Sequence, residues 1–332
     1  MIQKFKQKLP KRIVIFSIGI IVSMIIWNIN ANWGNSFEIC LLLSTTTFLI
    51  IYIPFEIYWS FWDIWFERWI RLKSQYLESS KVRIKVDIDK FLGAIVVKSK
   101  NQEKVISKNA IIIINHGFSD NKETLQYYYF PLALQGYVIL AYDARGTGSS
   151  KKIGKKKDFL NRIEDHDIIL DWIKKNENYK DKKIYTIGFS IGAMVALCSG
   201  FPRKDVHKII AISSVSNYRK NVPKYNPIIL ISYMLKGVSL HPSNENNQKL
   251  SPYLIFQSIK KKVSEEEWNE ISKKVFLIHC INDHIIKFKN FKENQSILNI
   301  PTFNQVIFKK GGHSLKKNEI ELVGATLRWL SE

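Results

Sequence analysis

Cysteine is scarce in this chain, with only Cys40, Cys198 and Cys280 among 332 residues. The count is odd, the three positions are far apart, and each lies in apolar sequence. This pattern argues against a disulfide framework and favours buried free thiols in a reducing compartment. None of the three belongs to a Cys-x-x-Cys pair or to a Cys/His group with metal-ligand spacing, so the sequence predicts no structural metal.

Acidic residues are also few, because 29 Asp and Glu stand against 50 Lys and Arg and leave a formal net charge of +21. An excess of this size can indicate a nucleic acid or an anionic membrane as partner. The lysines are spread through nearly every surface-like segment, which favours a general compositional bias over one basic patch. No nucleic-acid-binding motif accompanies the charge, so we predict no nucleic-acid partner.

Charged residues are nearly absent from positions 13–55, where Glu38 is the only one. Two apolar runs lie on either side of it, and each approaches the roughly 20 residues with which a helix crosses a bilayer. We therefore predict a membrane anchor over residues 1–73, with transmembrane helices at about 13–31 and 39–59. The lipid bilayer is then an expected partner.

Basic residues flank the two predicted transmembrane helices and are absent from the loop between them. Basic flanks stay on the cytoplasmic side, so the rest of the chain is predicted to face the cytosol. The alternative is a cleaved signal peptide with its apolar centre at 13–26, but a second apolar run so soon afterwards argues against cleavage. The aromatic-rich segment 59–69 fits either the headgroup level of a membrane or docking of the rest of the chain against the second helix. The basic flanks are Lys4, Lys6, Lys8, Lys11 and Arg12 before the first helix, and Arg68, Arg71 and Lys73 after the second.

Short apolar strands alternate with helices over residues 82–332. The run Ile111 to Ile114 is fully apolar and β-branched, as expected of a strand covered on both faces. The alternation predicts an α/β fold with a mainly parallel sheet and helices on both faces, preceded by two strands with Gly93 near their turn. The interval at about 215–272 contains four prolines and is too long for a simple connection, so we predict an inserted lid there.

Ser190 lies between Gly188 and Gly192, at the point where a predicted strand gives way to a predicted helix. This is the sequence form of a nucleophile elbow. A sharp turn that lifts a serine hydroxyl above a sheet leaves no room for side chains two positions to either side, and glycine meets that requirement. The same pentapeptide also occurs by chance, so its partners in the chain must decide.

Two later residues supply those partners. His313 follows the last predicted strand, where a loop histidine can reach the site and act as the base. Asp283 follows the preceding strand and can orient the imidazole, although a loop aspartate can also simply cap a helix. The chain order Ser, Asp, His matches a hydrolase arrangement. The backbone N–H groups of Ile191 and Phe118 are the predicted oxyanion donors.

At these positions the chain resembles the α/β-hydrolase superfamily, most closely its lysophospholipase, monoacylglycerol-lipase and serine-aminopeptidase-like members. The resemblance covers about Val82 to Leu330. It implies an α/β-hydrolase fold, esterase, thioesterase or peptidase chemistry, and no cofactor. The sequence departs slightly from many relatives in Phe189 and Ile191 on either side of the serine. The matching motifs are His116 and Gly117, then Asp143, Arg145, Gly146, Gly148 and Ser149, then Gly188 to Gly192, then Asp283, then Gly312 and His313.

Together these features predict a membrane-anchored serine hydrolase that cleaves esters of lipid-like or acylated substrates through a Ser190, His313, Asp283 triad. The alternatives are a peptidase or amidase of the same fold and a non-catalytic membrane scaffold. His116 is expected to shape the oxyanion loop, while Asp143 and Arg145 are expected to brace loops near the site. The sequence identifies no substrate-binding residue.

Overall fold

The computed structural model describes residues 2–65, 72, 74–100, 107–221, 233–234 and 237–332, with the side chains of 2–11, 59–65 and 221 not described. The chain divides into two compact units, Met1–Ile70 and Arg71–Glu332. The aromatic side chains expected at 59–69 lie outside the described residues.

Two long helices, α1 (Ile2–Asn32) and α2 (Phe37–Trp65), form the first unit. They pack side by side, since Phe16 touches both Phe48 and Tyr52 with ring centroids 5.4 and 5.7 Å away. An ion pair of 3.3 Å joins Arg12 to Glu56 near the open end of the hairpin. Segments of 21 and 22 residues in these helices are long and apolar enough to cross a membrane.

The second unit contains one eight-stranded sheet in the order β1-β2-β4-β3-β5-β6-β7-β8. Strands β1 and β2 are antiparallel to each other and β2 is antiparallel to β4, whereas all the other neighbours are parallel. The fold is therefore the predicted mainly parallel α/β arrangement. The strands are β1 (Leu77–Asp87), β2 (Lys90–Ser99), β3 (Ala110–Asn115), β4 (Val138–Tyr142), β5 (Lys183–Phe189), β6 (Val206–Ile212), β7 (Val275–Cys280) and β8 (Gln305–Phe308).

Helices connect the parallel strands and cover both faces of the sheet. Ile111 and Ile113 belong to one apolar cluster, and Ile112 and Ile114 belong to another, so both faces of β3 are buried as its β-branched run predicts. The described helices of this unit are α3 (Gln126–Leu134), α4 (Phe159–Lys175), α5 (Ile191–Gly200), α6 (Tyr218–Asn221), α7 (Asn244–Leu250), α8 (Pro252–Lys260), α9 (Glu265–Ser272), α10 (Lys289–Leu298) and α11 (Glu319–Ser331).

The first two strands differ from the prediction in one respect. Their turn falls at Ile88 and Asp89, and Gly93 lies inside β2, opposite Arg83 of β1. A Cβ atom at position 93 would lie 2.0 Å from Ser149 Oγ, so this glycine makes room for a neighbouring loop and does not form the turn.

The interval between β6 and β7 contains helices α6 to α9, where the sequence predicts a lid. Tyr218, Tyr233 and Leu250 from this interval pack with Phe118, Ile191 and Met194 in a third apolar cluster. Residues of the inserted interval thus pack against the loop after β3 and the first turn of α5, the two segments next to Ser190.

Candidate active site

Ser190 occupies the sharp turn between β5 and α5, with backbone angles φ 55° and ψ −118°. A positive φ is unfavourable for serine and is retained only where the surroundings impose it. Two neighbours do so here: the Ser190 N–H donates to the Ile212 carbonyl at 2.8 Å, and the next residue begins a fully buried helix. The turn leaves the hydroxyl within hydrogen-bond distance of a histidine from another loop.

The two glycines of the pentapeptide are sterically required. A Cβ atom at Gly188 would lie 2.1 Å from the Gly192 carbonyl oxygen, and one at Gly192 would lie 2.1 Å from the Asn115 carbonyl oxygen. Both neighbours are backbone atoms that cannot turn aside. The close approach also packs α5 against the end of β3, which brings the loop after β3 beside Ser190.

His313 and Asp283 lie in a hydrogen-bonded chain with Ser190. His313 Nε2 is 2.8 Å from Ser190 Oγ, and His313 Nδ1 is 2.7 Å from Asp283 Oδ2. The structure thus brings together all three residues that the sequence singles out. With Nδ1 protonated, Nε2 is free to accept the serine proton, which is the arrangement that activates a hydroxyl nucleophile.

Asp283 is buried at the end of β7 and its other oxygen is also occupied. Oδ1 accepts hydrogen bonds from the N–H groups of Ile285 and Ile286, at 2.8 and 2.9 Å. Burial by itself disfavours the carboxylate, but the hydrogen bond and charge of His313 and the backbone donors outweigh it and hold the pKa of Asp283 below its usual value. Asp283 is therefore an anion that faces the imidazole.

The histidine loop has a support that the sequence analysis missed. Asn282 Oδ1 accepts a hydrogen bond of 2.9 Å from the Gly312 N–H, which fixes the short turn bearing His313. Gly311 and Gly312 have φ values of 129° and 62° in that turn. Because Asn282 and Gly312 are 30 positions apart, only the fold reveals the contact.

The loop after β3 forms the other wall of the site. A Cβ atom at Gly117 would lie 3.7 Å from Ser190 Cβ, so this loop passes directly beside the nucleophile candidate. Phe118 is buried against Phe159 and Tyr233. Ile191 is the first residue of α5, where backbone N–H groups have no partner within the helix. Both predicted oxyanion donors belong to segments beside Ser190, and their role stays a prediction.

His116 is buried and held by its own loop. Its Nε2 accepts a hydrogen bond of 3.0 Å from the Ala144 N–H, and its Nδ1 lies 2.7 Å from the Gly117 carbonyl oxygen, to which it donates. Burial, together with the charge of Arg162, lowers the pKa of His116 to about 3, so the ring is neutral. Its contacts connect the loop after β3 to the loop after β4, and none of these is to Ser190 or His313.

Two buried ion pairs stabilise the loop after β4. Asp143 accepts hydrogen bonds from the Lys122 ammonium group and from the Ser149 N–H, the latter at 2.7 Å. Arg145 forms a bidentate pair with Asp165 of α4, with its closest contact at 2.7 Å. Both acidic partners are buried. Lys122 has no motif in the sequence and becomes visible only as the partner of Asp143.

A second set of polar side chains lies behind the elbow. His166 Nδ1 is 2.7 Å from Ser199 Oγ, and its Nε2 is 2.9 Å from Thr186 Oγ1. Asn115 donates to the same threonine at 2.8 Å, and the Tyr142 hydroxyl donates to Asn115 at 2.7 Å. Burial lowers the pKa of His166 to about 3. This network joins β3, β4, β5, α4 and α5.

Within the residues that the structure describes, no group of three or more His, Cys, Asp or Glu side chains has the arrangement of a metal site. His284, beside Asp283 in sequence, is exposed.

Comparison with known proteins adds the family. A family model described as "Serine aminopeptidase, S33" matches residues 106–303, more than half of the chain. The chain belongs to the S33 serine aminopeptidase family. The matched region of this S33 family member includes Ser190 and Asp283 and ends before His313. A search of curated proteins finds no match.

Solved structures agree on the fold of this S33 family member. An esterase from Pyrococcus furiosus is 20% identical, with a TM-score of 0.52, and the alignment covers 79% of this chain and 97% of the esterase. An acylaminoacyl peptidase from Pyrococcus horikoshii is 17% identical, with a TM-score of 0.54 over 76% of this chain and 40% of the peptidase. A serine hydrolase without a lid from Xanthomonas campestris is 14% identical, with a TM-score of 0.50 over 78% and 96% of the two chains. At these identities the similarity shows the α/β-hydrolase fold.

Proposed function

We propose that this protein hydrolyses carboxylic esters or thioesters of lipid-like or acylated substrates, with Ser190 as nucleophile, His313 as base and Asp283 as the residue that orients the base. The observation that carries the proposal is the hydrogen-bonded chain from Ser190 Oγ through His313 to Asp283, with distances of 2.8 and 2.7 Å. Its hydrolase family and fold support the same conclusion.

The proposed reaction proceeds through an acyl-enzyme. His313 Nε2 accepts the hydroxyl proton while Ser190 Oγ attacks the carbonyl carbon, and the same proton then passes to the leaving alcohol or thiol. A water molecule, deprotonated by His313, releases the acyl group and regenerates the serine. The N–H groups of Ile191 and Phe118 stabilise the oxyanion in both steps.

The apolar cluster beside Ser190 supports an acyl-bearing substrate. Phe118, Ile191 and Met194 meet Tyr218 and Tyr233 of the inserted interval there. These side chains are buried, and apolar groups packed around a nucleophile favour substrates with hydrocarbon chains. We further propose that α1 and α2 anchor the protein in a membrane, with the catalytic unit in the cytosol.

The nucleophile is tested with a fluorophosphonate probe on membranes that contain the full chain, with Ser190→Ala and Asp283→Asn as variants. We expect labelling of the unaltered protein and none of Ser190→Ala. Asp283→Asn retains a hydrogen-bonding side chain but favours the wrong imidazole tautomer, so its ester hydrolysis should fall about 10⁴-fold. Labelling that persists in Ser190→Ala, or an Asp283→Asn rate within tenfold of the unaltered protein, would contradict the assignment.

A peptidase or amidase is the second candidate, and the description of the matched family favours it. A panel of short esters, long acylglycerols, lysophospholipids, acyl thioesters and aminoacyl amides separates the two. We expect Ser190-dependent release of acid from the esters or thioesters. Cleavage of the amides alone would replace our proposal with the peptidase.

A further inference from the structure

Arg162, on the first turn of α4, is a buried arginine, and two nitrogens of its guanidinium fork have no hydrogen-bond partner among the described residues. Its exposed fraction is 2%. Among the described residues, none accepts a hydrogen bond from its Nε or Nη2. Two other arginines of the same unit are paired with carboxylates, since Arg145 binds Asp165 and Arg203 binds Asp171 and Asp205.

The two unpartnered nitrogens are the pair that recognises an oxyanion. Nε–H and one N–H of Nη2 point in parallel from one edge of the planar guanidinium, and their spacing matches two oxygens of a carboxylate or a phosphate. Burial lowers the pKa of Arg162 to about 10, against the opposing influence of Tyr142, Asp165 and Asp120. The side chain is therefore still a cation at neutral pH, and a buried cation without hydrogen bonds is costly unless a partner binds to it.

Arg162 lies close to the loop that borders Ser190. Its Cζ is 5.8 Å from the centre of the Phe159 ring, which packs against Phe118 at 5.6 Å. Phe118 follows Gly117, and a Cβ atom at Gly117 would lie 3.7 Å from Ser190 Cβ. The charge of Arg162 also acts on His116 in this loop. The rings of Phe159 and Phe118 thus connect the Arg162 guanidinium to the loop that bears the predicted oxyanion donor.

The nearby carboxylates do not fill the fork. Asp165 is engaged by Arg145 through both of its oxygens. Asp120 and Asp158 are close enough to favour the charge on Arg162, but no hydrogen bond joins either of them to its Nε or Nη2. No described side chain or backbone group satisfies these two donors.

We propose that Arg162 binds an anionic group of the substrate, a carboxylate or a phosphate, and thereby selects esters that carry a negative charge near the bond that Ser190 attacks. This inference rests on the proposed function, because the group bound is part of the ester that is hydrolysed. Arg162 is then a substrate-binding residue, for which the sequence alone contains no signal.

The carboxylate arm compares kcat/KM for the mono-p-nitrophenyl ester of glutaric acid with that for p-nitrophenyl valerate, which has the same acyl length and no charge. The phosphate arm compares lysophosphatidate with the monoacylglycerol of the same acyl chain. In at least one arm we expect the unaltered protein to prefer the anionic member by about tenfold or more, since charge-assisted bidentate hydrogen bonds are the strong ones. The preferred arm identifies the anion.

Arg162→Gln removes the cation. Arg203→Gln is the matched control, because Arg203 is paired with Asp171 in the last turns of α4. The ratio of anionic to neutral kcat/KM should fall about tenfold in Arg162→Gln, mainly through KM, and stay unchanged in Arg203→Gln. Arg162→Lys should restore part of it, because a lysine keeps the charge but not the fork. An unchanged ratio in Arg162→Gln would overturn the inference.

Thermal unfolding separates this inference from the proposed function. In Ser190→Ala, glutarate or inorganic phosphate should raise Tm, and the added change Arg162→Gln should abolish that shift. Arg162→Met should leave Tm unchanged or higher without ligand, since it removes a buried unpaired charge. If Arg162→Met instead lowers Tm and neither anion shifts it, Arg162 is structural. A Tm shift without any ester hydrolysis would refute the proposed function and retain the anion site.

Discussion

At the scale of single residues, the backbone of Ser190 places the hydroxyl where His313 can reach it. A φ of 55° is unfavourable for serine, and the surrounding packing of β5, α5 and the end of β3 imposes it. The conformational strain at Ser190 is tolerated because the segments packed around the turn are also part of the core. Side chains added at the flanking glycines would force the segments apart and move the hydroxyl.

We therefore expect Gly192→Ala to destabilise the protein by at least about 3 kcal/mol and to reduce ester hydrolysis in whatever remains folded. The reason is that a Cβ atom there would lie 2.1 Å from the Asn115 carbonyl oxygen. Gly324→Ala is the control, because Gly324 is in helix α11 and nothing lies within 4 Å of its Cβ position. The control should gain about 0.5–1 kcal/mol. Unfolding followed by circular dichroism measures both, and a Gly192→Ala protein as stable as the control would refute the steric argument.

The residues that could be predicted from sequence are those whose role depends on local geometry. The glycines around Ser190, and the positions of Asp283 and His313 just after strands, follow from the sequence pattern alone. Asn282 and Lys122 could not be found in that way. Their partners, Gly312 and Asp143, are 30 and 21 positions away, so the contacts exist only once the sheet is formed.

At the scale of elements, a buried polar network connects the strands and helices behind the elbow. His166 of α4 bridges Ser199 of α5 and Thr186 of β5, and Thr186 in turn contacts Asn115 at the end of β3. A buried network of this kind stabilises the fold only while every polar group in it has a hydrogen-bond partner and the histidine is neutral. Protonation of His166 would break that condition.

Stability should accordingly fall as pH decreases below about 6.5, the ordinary histidine value. The folded protein keeps His116 and His166 neutral down to a pKa of about 3, whereas the unfolded chain protonates both near their ordinary value. Unfolding then takes up protons, so the loss is about 1.4 kcal/mol per pH unit for each histidine, between about pH 6 and 4. Chemical unfolding measured at several pH values tests this.

The variant His166→Gln isolates the contribution of His166 to the pH dependence of stability. It should be less stable at neutral pH because the network is broken, but its pH slope should be smaller by about 1.4 kcal/mol per unit. His207→Gln, at an exposed histidine, should retain the slope of the unaltered protein. Equal slopes for His166→Gln and His207→Gln would show that His166 is not kept neutral by the fold.

The elements themselves were largely predictable, because the hydrophobic pattern determines them. The β-branched run of β3 and the alternation of strands with helices indicated the parallel sheet. The predicted position of the turn between β1 and β2 was wrong. Gly93 suggested a turn near itself, whereas the structure places it at Ile88 and Asp89. The glycine is needed for contact with Ser149, which belongs to a distant loop.

At the scale of the whole molecule, the chain combines an apolar helical hairpin with a basic α/β-hydrolase unit. Membrane association could arise from either feature. The hairpin would hold the protein by hydrophobic insertion, which salt does not weaken, while a net charge of +21 could hold it on anionic lipids only at low ionic strength. The aromatic segment 59–69 stays a prediction.

We expect the full chain to stay in the membrane fraction after washing with 1 M NaCl and to be released by detergent. The reason is that two apolar segments of 21 and 22 residues match the hydrocarbon thickness. Fractionation with immunodetection makes the measurement, and release by salt alone would identify a peripheral protein.

Protease added to sealed inside-out vesicles should digest the catalytic unit, whereas digestion only from the opposite side would reverse the proposed orientation.

The sequence by itself determined the features that depend on neighbouring residues: the apolar helices, the α/β alternation, the elbow at Ser190 and the chain order of its partners. These follow because steric requirements and hydrophobic period act over a few positions. Tertiary structure decided which buried polar groups find partners, such as Asn282 on the histidine loop, and which described groups do not, such as Nε and Nη2 of Arg162. Hydrogen bonds between distant segments depend on where the fold brings them, and local sequence carries no record of that placement.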